Sequence, residues 1–275
     1  MSIFNGKVAI ITGAGSGIGR GLAEELALRG AYVVISDVNV ERIEKTAEGI
    51  RKAGGKVSMS RVDVSDYDAV RKMVDDTVAA HGRIDYIFNN AGISAVGPAK
   101  DFTIDEWRNV INIDLYGVVH GVAVAYPIMV EQGFGHIINT ASIEGLVPFP
   151  STASYVTSKY GVVGLSNVLR IEGAEYGIKV SVVCPGYVKT AIFTDYKAIN
   201  FDRQKMLEEQ KNWKGVTSEE CAKRILCGVE HNRAFIVVTF FAKFLWVLNR
   251  ISPNLVIWIM KREYRKQKEK GIIKT

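Results

Sequence analysis

Apolar runs alternate with segments of helical polar and apolar spacing along the first 190 residues. Continuous runs such as residues 7–12 (KVAIIT) and 84–88 (IDYIF) predict strands buried on both faces, as in a parallel sheet. The segments 41–53 and 68–81 predict helices between them. The alternation indicates an α/β fold, and 275 residues fit one large domain as well as two small ones.

The pattern changes after the last predicted strand, FIVV near residue 235. Residues 240–275 predict two amphipathic helices broken at Ser252-Pro253. The longest uninterrupted apolar run, Leu255–Met260, is too short to cross a bilayer, which takes ~20 residues. Two interpretations stay open: the apolar faces insert at an anionic membrane surface, or they pack on the domain or a second subunit and leave a solvated basic end.

The formal charge of +6 is concentrated at the C-terminus. From Phe240 onward nine Lys and Arg face two Glu, a balance of +7, so the other 239 residues carry 26 positive and 27 negative charges. The first 239 residues are therefore nearly neutral. Because the basic run also lacks a motif for nucleic-acid recognition, we expect no nucleic-acid partner.

Three cysteines, Cys184, Cys221 and Cys227, occur without a C-x-x-C pair. This usage is typical of reduced thiols in a cytosolic protein. The first predicted strand begins within seven residues of the start, which leaves no room for a signal peptide. We therefore expect a cytoplasmic protein, peripheral at a membrane if residues 240–270 bind one. Because no His, Cys and carboxylate cluster has metal-ligand spacing, no metal site is expected.

A glycine-rich turn, TGAGSGIG at 12–19, lies between the first predicted strand and a helix. Such a turn lets backbone N–H groups approach a pyrophosphate, which the helix dipole also favours. A tight turn without a ligand is the alternative. The predicted cofactor contacts here are Gly13, Ser16, Gly17, Ile18 and Gly19.

Asp37 ends the next predicted strand, eighteen residues beyond Gly19. A carboxylate at this distance is placed to accept hydrogen bonds from ribose hydroxyls and to repel a 2′-phosphate. This favours NAD over NADP. Arg20 and Arg42 lie nearby in sequence and would weaken that preference.

Two further strand ends carry candidate cofactor residues. Asp63 and Val64 are placed to frame the adenine edge, although Ser65 or Asp66 as a helix cap is an equally economical interpretation. Small and amide residues follow the strand 84–88, at the edge of an open α/β sheet where ligands bind. Turn-forming asparagines are the alternative to cofactor contacts at Asn90, Ala91 and Gly92.

Tyr155 and Lys159 are one helical turn apart, and Ser142 precedes Tyr155 by thirteen residues. The tyrosine pKa, ordinarily ~10, must fall by about three units, or ~4 kcal/mol, to act at neutral pH, and an ammonium in a desolvated cleft would supply this. The serine hydroxyl would hold a substrate oxygen beside the phenol. An ordinary amphipathic pair is the alternative.

In type, order and spacing these motifs resemble the short-chain dehydrogenase/reductase family. T-G-x-x-x-G-x-G, Asp37, N-N-A-G, the serine and Y-x-x-x-K all match, and Cys184 to Thr190 is similar to the family's P-G-x-x-x-T segment. The resemblance implies one Rossmann-like three-layer domain, with helices on both faces of a seven-stranded parallel sheet, in residues 1–239. The amphipathic extension 240–275 would follow it.

The resemblance also implies roles for particular residues. Tyr155 would be the acid/base, Ser142 the substrate-orienting hydroxyl, and Lys159 both the cation that lowers the tyrosine pKa and a ligand of the nicotinamide ribose. Asn90 and Gly92 would line the cofactor. The segment expected to hold the carboxamide contains Pro185, Gly186, Val188 and Thr190.

One position departs from the family pattern. The phrase V-N-L-x-G, which carries a catalytic asparagine in the family, is aligned with Ile113–Gly117, and Asp114 fills the asparagine's place. Asn112 lies two residues away, about 200° around a helix, and should point elsewhere. A carboxylate or a main-chain carbonyl would hold the water that the asparagine anchors, and a carboxylate would keep Lys159 protonated.

In the family, the segment about 190–215 covers the substrate. Apolar residues here and upstream predict a pocket for a hydrophobic secondary alcohol or ketone, with core packing as the alternative. The candidates are Ile93, Val96, Leu146, Phe149, Tyr187, Ile192, Phe193 and Tyr196. The family often forms dimers or tetramers, so a homodimer or homotetramer is expected. An NAD-binding membrane-surface sensor or scaffold with little turnover is the alternative function.

Overall fold

A seven-stranded parallel sheet forms the centre of the molecule in a computed structural model that describes residues 2–274. Its strands are β1 Val8–Thr12, β2 Tyr32–Asp37, β3 Lys56–Arg61, β4 Tyr86–Asn89, β5 Gly135–Thr140, β6 Ile178–Cys184 and β7 Phe235–Val237. Their order across the sheet is β3-β2-β1-β4-β5-β6-β7. This confirms the predicted α/β fold with seven parallel strands.

The order of the strands reverses between β1 and β4. The chain steps from β1 outward through β2 to β3, then returns to the other side of β1 and continues outward to β7. At this crossing point Ile11 of β1 pairs with Phe88 of β4. Crevices at the carboxyl ends of strands on either side of such a reversal are the usual ligand sites of open α/β sheets.

Helices cover both faces of the sheet. The helices of the chain are α1 Gly17–Leu28, α2 Val40–Lys52, α3 Tyr67–His81, α4 Ile104–Ile111, α5 Gly117–Gln132, α6 Ala153–Ala174, α7 Arg203–Gln210, α8 Ser218–Glu230, α9 Phe240–Ile251 and α10 Pro253–Glu269. Successive strand residues alternate between two buried clusters. Ile10 packs with residues of α3, α5 and α6, whereas Ala9 and Ile11 pack with residues of α1, α2 and α8. The molecule therefore has three layers.

Helices α4 and α5 form one continuous rod through a π-helical turn at Asn112–Tyr116. The rod, Ile104–Gln132, is long and apolar enough to cross a membrane by length and composition alone. However, α5 packs against β4, β5 and α3 and contributes buried residues such as Val118 and Met129 to the core. Its apolar character is therefore explained by burial inside the domain.

The C-terminal extension forms the two helices predicted, separated at Ser252-Pro253. Helix α9 joins the main core through the buried residues Ala242 and Leu245, and Asn249 Nδ2 donates a hydrogen bond to the Leu146 carbonyl at 2.9 Å. The extension is thus packed against the loop that contains Ser142.

The last residues return to the segment expected to cover the substrate. Tyr196, Phe201, Ile272 and Ile273 form a separate buried cluster, which we call the C-terminal clamp. Phe201 and Ile273 pair as an antiparallel bridge, and the Asp202 amide donates to the Ile272 carbonyl at 2.7 Å. Residues 272–273 are therefore packed on the domain, whereas most of the basic residues before them, 261–270, are exposed.

Candidate active site

The glycine-rich turn after β1 is joined to the end of β4. Thr12 Oγ1 accepts hydrogen bonds from the backbone amides of Asn90 at 3.0 Å and Ala91 at 3.1 Å, and Asn90 Nδ2 donates to the Thr12 carbonyl. A Cβ on Gly13 would lie 2.7 Å from Ala91 Cα, and one on Gly19 would collide with the Gly13 carbonyl. These glycines are therefore required by the close approach of two backbones.

The N-terminus of α1 leaves donors free for an anion. Ser16 is its N-cap residue, but the Ser16 hydroxyl accepts no hydrogen bond from the helix amides. Gly17 has a φ of +54°, and a Cβ there would lie 3.2 Å from Thr190 Cγ2. Thr190 therefore lies against this turn, and a helix N-terminus without a side-chain cap fits a dinucleotide pyrophosphate.

Asp37 lies at the carboxyl end of β2, beside the same turn. Its Oδ2 accepts a hydrogen bond from the Gly15 amide at 3.1 Å, and its Oδ1 accepts one from the Asn39 amide at 3.0 Å. Each carboxylate oxygen has a second lone pair available. The two nearby arginines are paired with carboxylates: Arg20 with Glu24 and, more loosely at 3.6 Å, Arg42 with Asp195.

The residues after β3 have two predicted roles, which are contact with the adenine and capping of α3. Asp66 caps α3, because its side chain accepts hydrogen bonds from the amides of Asp68 and Ala69. Asp63 instead accepts from the amide and hydroxyl of Ser65. Val64 is buried, and a Cβ on Gly117 would lie 2.7 Å from its Cγ2. Asp63 is therefore free of any capping role, and the adenine contact stays a prediction.

The carboxyl end of β5 is where Ser142, Tyr155 and Lys159 come together. Ser142 follows the strand, and the other two lie on α6. Lys159 is buried, its Nζ donates to the Thr140 carbonyl at 3.2 Å, and it lies 5.2 Å from the centroid of the Tyr155 ring. The ammonium is thus buried beside the Tyr155 ring instead of belonging to an exposed helix pair, and the catalytic roles of both residues stay predictions.

Asp114 is fully buried and pairs directly with Lys159. Its Oδ2 lies 2.9 Å from Lys159 Nζ, and its Oδ1 accepts a hydrogen bond from the Ile93 amide at 2.8 Å. A Cβ on Gly92 would meet both Asp114 Oδ2 and Lys159 Nζ. Burial raises the Asp114 pKa, and the Lys159 ammonium opposes that rise. Asn112 is exposed, as expected from its angular position.

The pKa of Tyr155 is raised well above its ordinary value. Burial is the main cause, the charges of Asp114 and Glu144 add to it, and a hydrogen bond with Ser142 opposes it. Lys159 is not among these influences, so the expected lowering of the Tyr155 pKa by its ammonium stays a prediction. Asp114 pairs with that ammonium and adds a negative charge close to the phenol.

Glu144, which the sequence reasoning missed, lies two residues after Ser142 on the same loop. Its amide donates to Ser142 Oγ at 3.2 Å, and Thr152 Oγ1 donates to its Oε2 at 2.5 Å. Burial raises the Glu144 pKa to about 7, against the opposing effects of Thr152 and Lys159. The one sequence signal that would have identified Glu144 is its closeness to Ser142.

The loop after β6 closes the other side of the cleft. The Pro185 carbonyl accepts a hydrogen bond from the Ile143 amide at 2.8 Å, and Gly186 leaves no room for a side chain beside Thr239. Val188 is buried and pairs with Val216. This segment therefore lies against the serine loop, and its contact with a carboxamide stays a prediction.

The expected apolar pocket is only partly available for a substrate. Tyr187 makes edge-on contacts with Phe193 at 4.8 Å and Trp213 at 5.2 Å between ring centroids, which joins the loop after β6 to the segment 190–215. Val96 packs against the C-terminal clamp, of which Tyr196 is a member. These last two residues therefore follow the core-packing alternative.

Residues 7–199 match the family profile of the short chain dehydrogenases. The chain is 38% identical over 195 residues to a cyclohexanol dehydrogenase of Acinetobacter sp. (strain SE19), covering 70% of this chain and 78% of that protein. It is 37% identical over 187 residues to a meso-2,3-butanediol dehydrogenase of Serratia marcescens, covering 68% and 73%.

A solved structure resembles nearly the whole chain. It is a short chain dehydrogenase/reductase from Burkholderia phymatum in complex with NAD. The TM-score is 0.85 at 32% sequence identity, over 93% of this chain and 96% of that one. The similarity therefore extends beyond the residues that match the family profile.

Proposed function

Since the chain belongs to the short-chain dehydrogenase family of oxidoreductases, we propose that it is an NAD-dependent enzyme that interconverts a hydrophobic secondary alcohol and its ketone. The observation that carries this proposal is the grouping of the half-buried Tyr155 with the buried Lys159 and Ser142, next to a glycine-rich turn that fits a dinucleotide. Relatives that act on cyclohexanol and 2,3-butanediol support the substrate class.

In the proposed reaction the alcohol loses a proton from oxygen and the equivalent of a hydride from carbon. When bound, the nicotinamide supplies the two-electron acceptor that the chain's own residues lack. Ser142 holds the substrate oxygen, and Tyr155 takes its proton. Lys159, held by Asp114 and the Thr140 carbonyl, keeps a positive charge close to the phenolate form of Tyr155 that accepts this proton.

We expect NAD to be preferred over NADP. The Asp37 carboxylate already binds two backbone amides at the end of β2, so it cannot turn away from a 2′-phosphate without losing both hydrogen bonds. Arg20 and Arg42 are paired with other carboxylates. A bound phosphate would therefore meet a negative charge without a free cation to offset it.

Initial rates with cyclohexanol and longer secondary alcohols test both parts of the proposal. We expect ordinary turnover, and kcat/KM at least ~10-fold higher with NAD than with NADP, the ratio that about 1.4 kcal/mol of discrimination gives. An absence of turnover across a panel of apolar alcohols, despite NADH binding, would instead favour the alternative of a sensor or scaffold. A preference for NADP would contradict the role of Asp37.

We also propose a homodimer or homotetramer formed through the helices that carry Asp114 and Tyr155. The rod α4–α5 and helix α6 leave large apolar side chains exposed, including Ile104, Tyr116, Val168 and Ile171. Exposed apolar groups of this kind on adjacent helices are typical of subunit contacts.

We propose an anionic membrane surface as a further partner of residues 240–270 in a cytoplasmic protein. Apolar side chains at helical spacing, which we call the apolar row, are each at least 42% exposed: Phe240, Phe241, Phe244, Val247, Ile251, Leu255 and Trp258. Arg250 and Arg262 lie over the rings of Trp246 and Trp258. Apolar side chains beside cations favour the interface of an anionic bilayer, where each basic residue contributes ~1 kcal/mol.

Sedimentation with phosphatidylserine-containing vesicles tests the membrane proposal. The variant Phe240→Ser/Phe244→Ser/Ile251→Ser should lose most vesicle binding, whereas Leu28→Ser, at a 75% exposed position on α1, should keep it. Deleting residues 240–275 is an unsuitable test because it also removes half of the C-terminal clamp. Equal sedimentation of the wild type, the triple variant and Leu28→Ser would reject the membrane proposal.

The mass of the same proteins in solution, measured by light scattering, tests the oligomer. A mass of one chain would reject it.

A further inference from the structure

Glu144 presents a carboxyl group close to Tyr155 and Lys159, on the loop that contains Ser142. It is half-buried, its backbone amide holds Ser142 Oγ, and only its Oε2 is bonded, to Thr152. Within residues 2–274 no donor is hydrogen-bonded to Oε1. A partly exposed carboxyl oxygen with spare acceptor capacity favours a ligand that can donate a hydrogen bond.

The charges around this carboxyl leave it without a cation of its own. Lys159 on α6 is the nearby ammonium, and it is already paired with Asp114 at 2.9 Å. Tyr155 also lies on α6, and Cys184 on β6 is neutral because burial raises the pKa of its thiol. A substrate carboxylate entering here would meet two acidic side chains and one cation that is already paired.

We propose that Glu144 binds a second hydrogen-bond-donating group of the substrate and so selects neutral hydroxylated alcohols, such as diols and hydroxyketones, over simple alcohols and hydroxy acids. This inference rests on the proposed oxidoreductase function and narrows its substrate class. Because the Glu144 pKa is about 7, the carboxylate form that accepts the stronger, charge-assisted hydrogen bond predominates above neutral pH.

The test compares trans-cyclohexane-1,2-diol with cyclohexanol, using the intact chain and NAD. The ratio of the two kcat/KM values cancels the pH dependence of the catalytic tyrosine, which both substrates share. We expect the wild-type ratio to exceed ~10 above pH 7, well beyond the statistical advantage of two equivalent hydroxyls, and to fall as the pH decreases through about 7. Glu144→Gln should give a small ratio that does not vary with pH.

Thr152→Val is the matched control, because it removes the hydrogen bond to Glu144 Oε2 and leaves the carboxyl in place. It should keep the preference for the diol, with the fall of the ratio moved to higher pH, because the Thr152 hydrogen bond lowers the Glu144 pKa. If Glu144→Gln lowers kcat/KM equally for both substrates, or if the wild type does not distinguish them, Glu144 only braces the loop and the proposal is overturned.

A binding measurement separates this inference from the proposed function. Calorimetry of 2-hydroxycyclohexanone and cyclohexanone with the protein–NADH complex needs no turnover. We expect the hydroxyketone to bind at least ~10-fold more tightly to the wild type, and this difference to disappear in Glu144→Gln. Equal affinities would overturn the role of Glu144, whereas absent turnover with every alcohol would overturn the proposed function alone.

Discussion

Replacing Tyr155 with phenylalanine is expected to lower kcat by ~10³-fold or more, within the range that a positioned acid/base supplies. The change removes one oxygen from a buried ring and leaves the cation–ring contact with Lys159 in place. NADH binding, followed by its fluorescence on titration, should stay within about threefold, or ~0.7 kcal/mol, of the wild type.

Tyr160→Phe is the control for this experiment. Tyr160 lies five residues further along α6 and is 42% exposed, so its hydroxyl is outside the cleft and turnover should be unchanged. If Tyr155→Phe retained turnover, a different group would have to accept the proton, and the assignment of the acid/base would be wrong.

Asp114→Ala is expected to lower the free energy of unfolding by ~3–5 kcal/mol, the usual cost of removing one partner from a buried ion pair. The loss leaves the Lys159 ammonium without its carboxylate and the Ile93 amide without an acceptor. Urea unfolding followed by circular dichroism measures it. Asp105→Ala, at an 86% exposed side chain on the same rod, should change stability little.

Asp114→Asn should behave differently, with turnover at least comparable to that of the wild type. An amide oxygen can still accept from Ile93 or Lys159, while the negative charge that raises the Tyr155 pKa is removed. A lower Tyr155 pKa places more phenolate at a given pH, so the rise of kcat/KM for alcohol oxidation should move to lower pH. A loss of several hundredfold would show that the carboxylate has another role.

Much of this architecture follows from local physics that a sequence shows directly. The central strands β1 and β4 are apolar along most of their length because both their faces are covered, and Gly13 and Gly19 are needed where two backbones touch. The catalytic pair is visible because one helical turn fixes the separation of Tyr155 and Lys159 whatever surrounds them.

Other features depend on contacts between distant residues. The ion pair of Asp114 with Lys159 joins two helices 45 positions apart, so the carboxylate's effect on the tyrosine needed the packing of those helices. Glu144 gains its raised pKa from burial that neither its neighbours nor its loop reveals. The destination of Ile272 and Ile273 was hidden because a short apolar pair after a basic run does not specify its partner.

The C-terminal clamp gives residues 190–215 an anchor at the far end of the chain. Opening this segment for product exit must either separate Phe201 from Ile273 or carry the end of α10 with it. Exposing one such aromatic or aliphatic side chain costs ~1.5–3 kcal/mol, enough to slow release by one or two orders of magnitude. In the proposed enzyme, membrane binding by α10 would therefore also restrict the opening of residues 190–215, and the rate of turnover would depend on membrane binding.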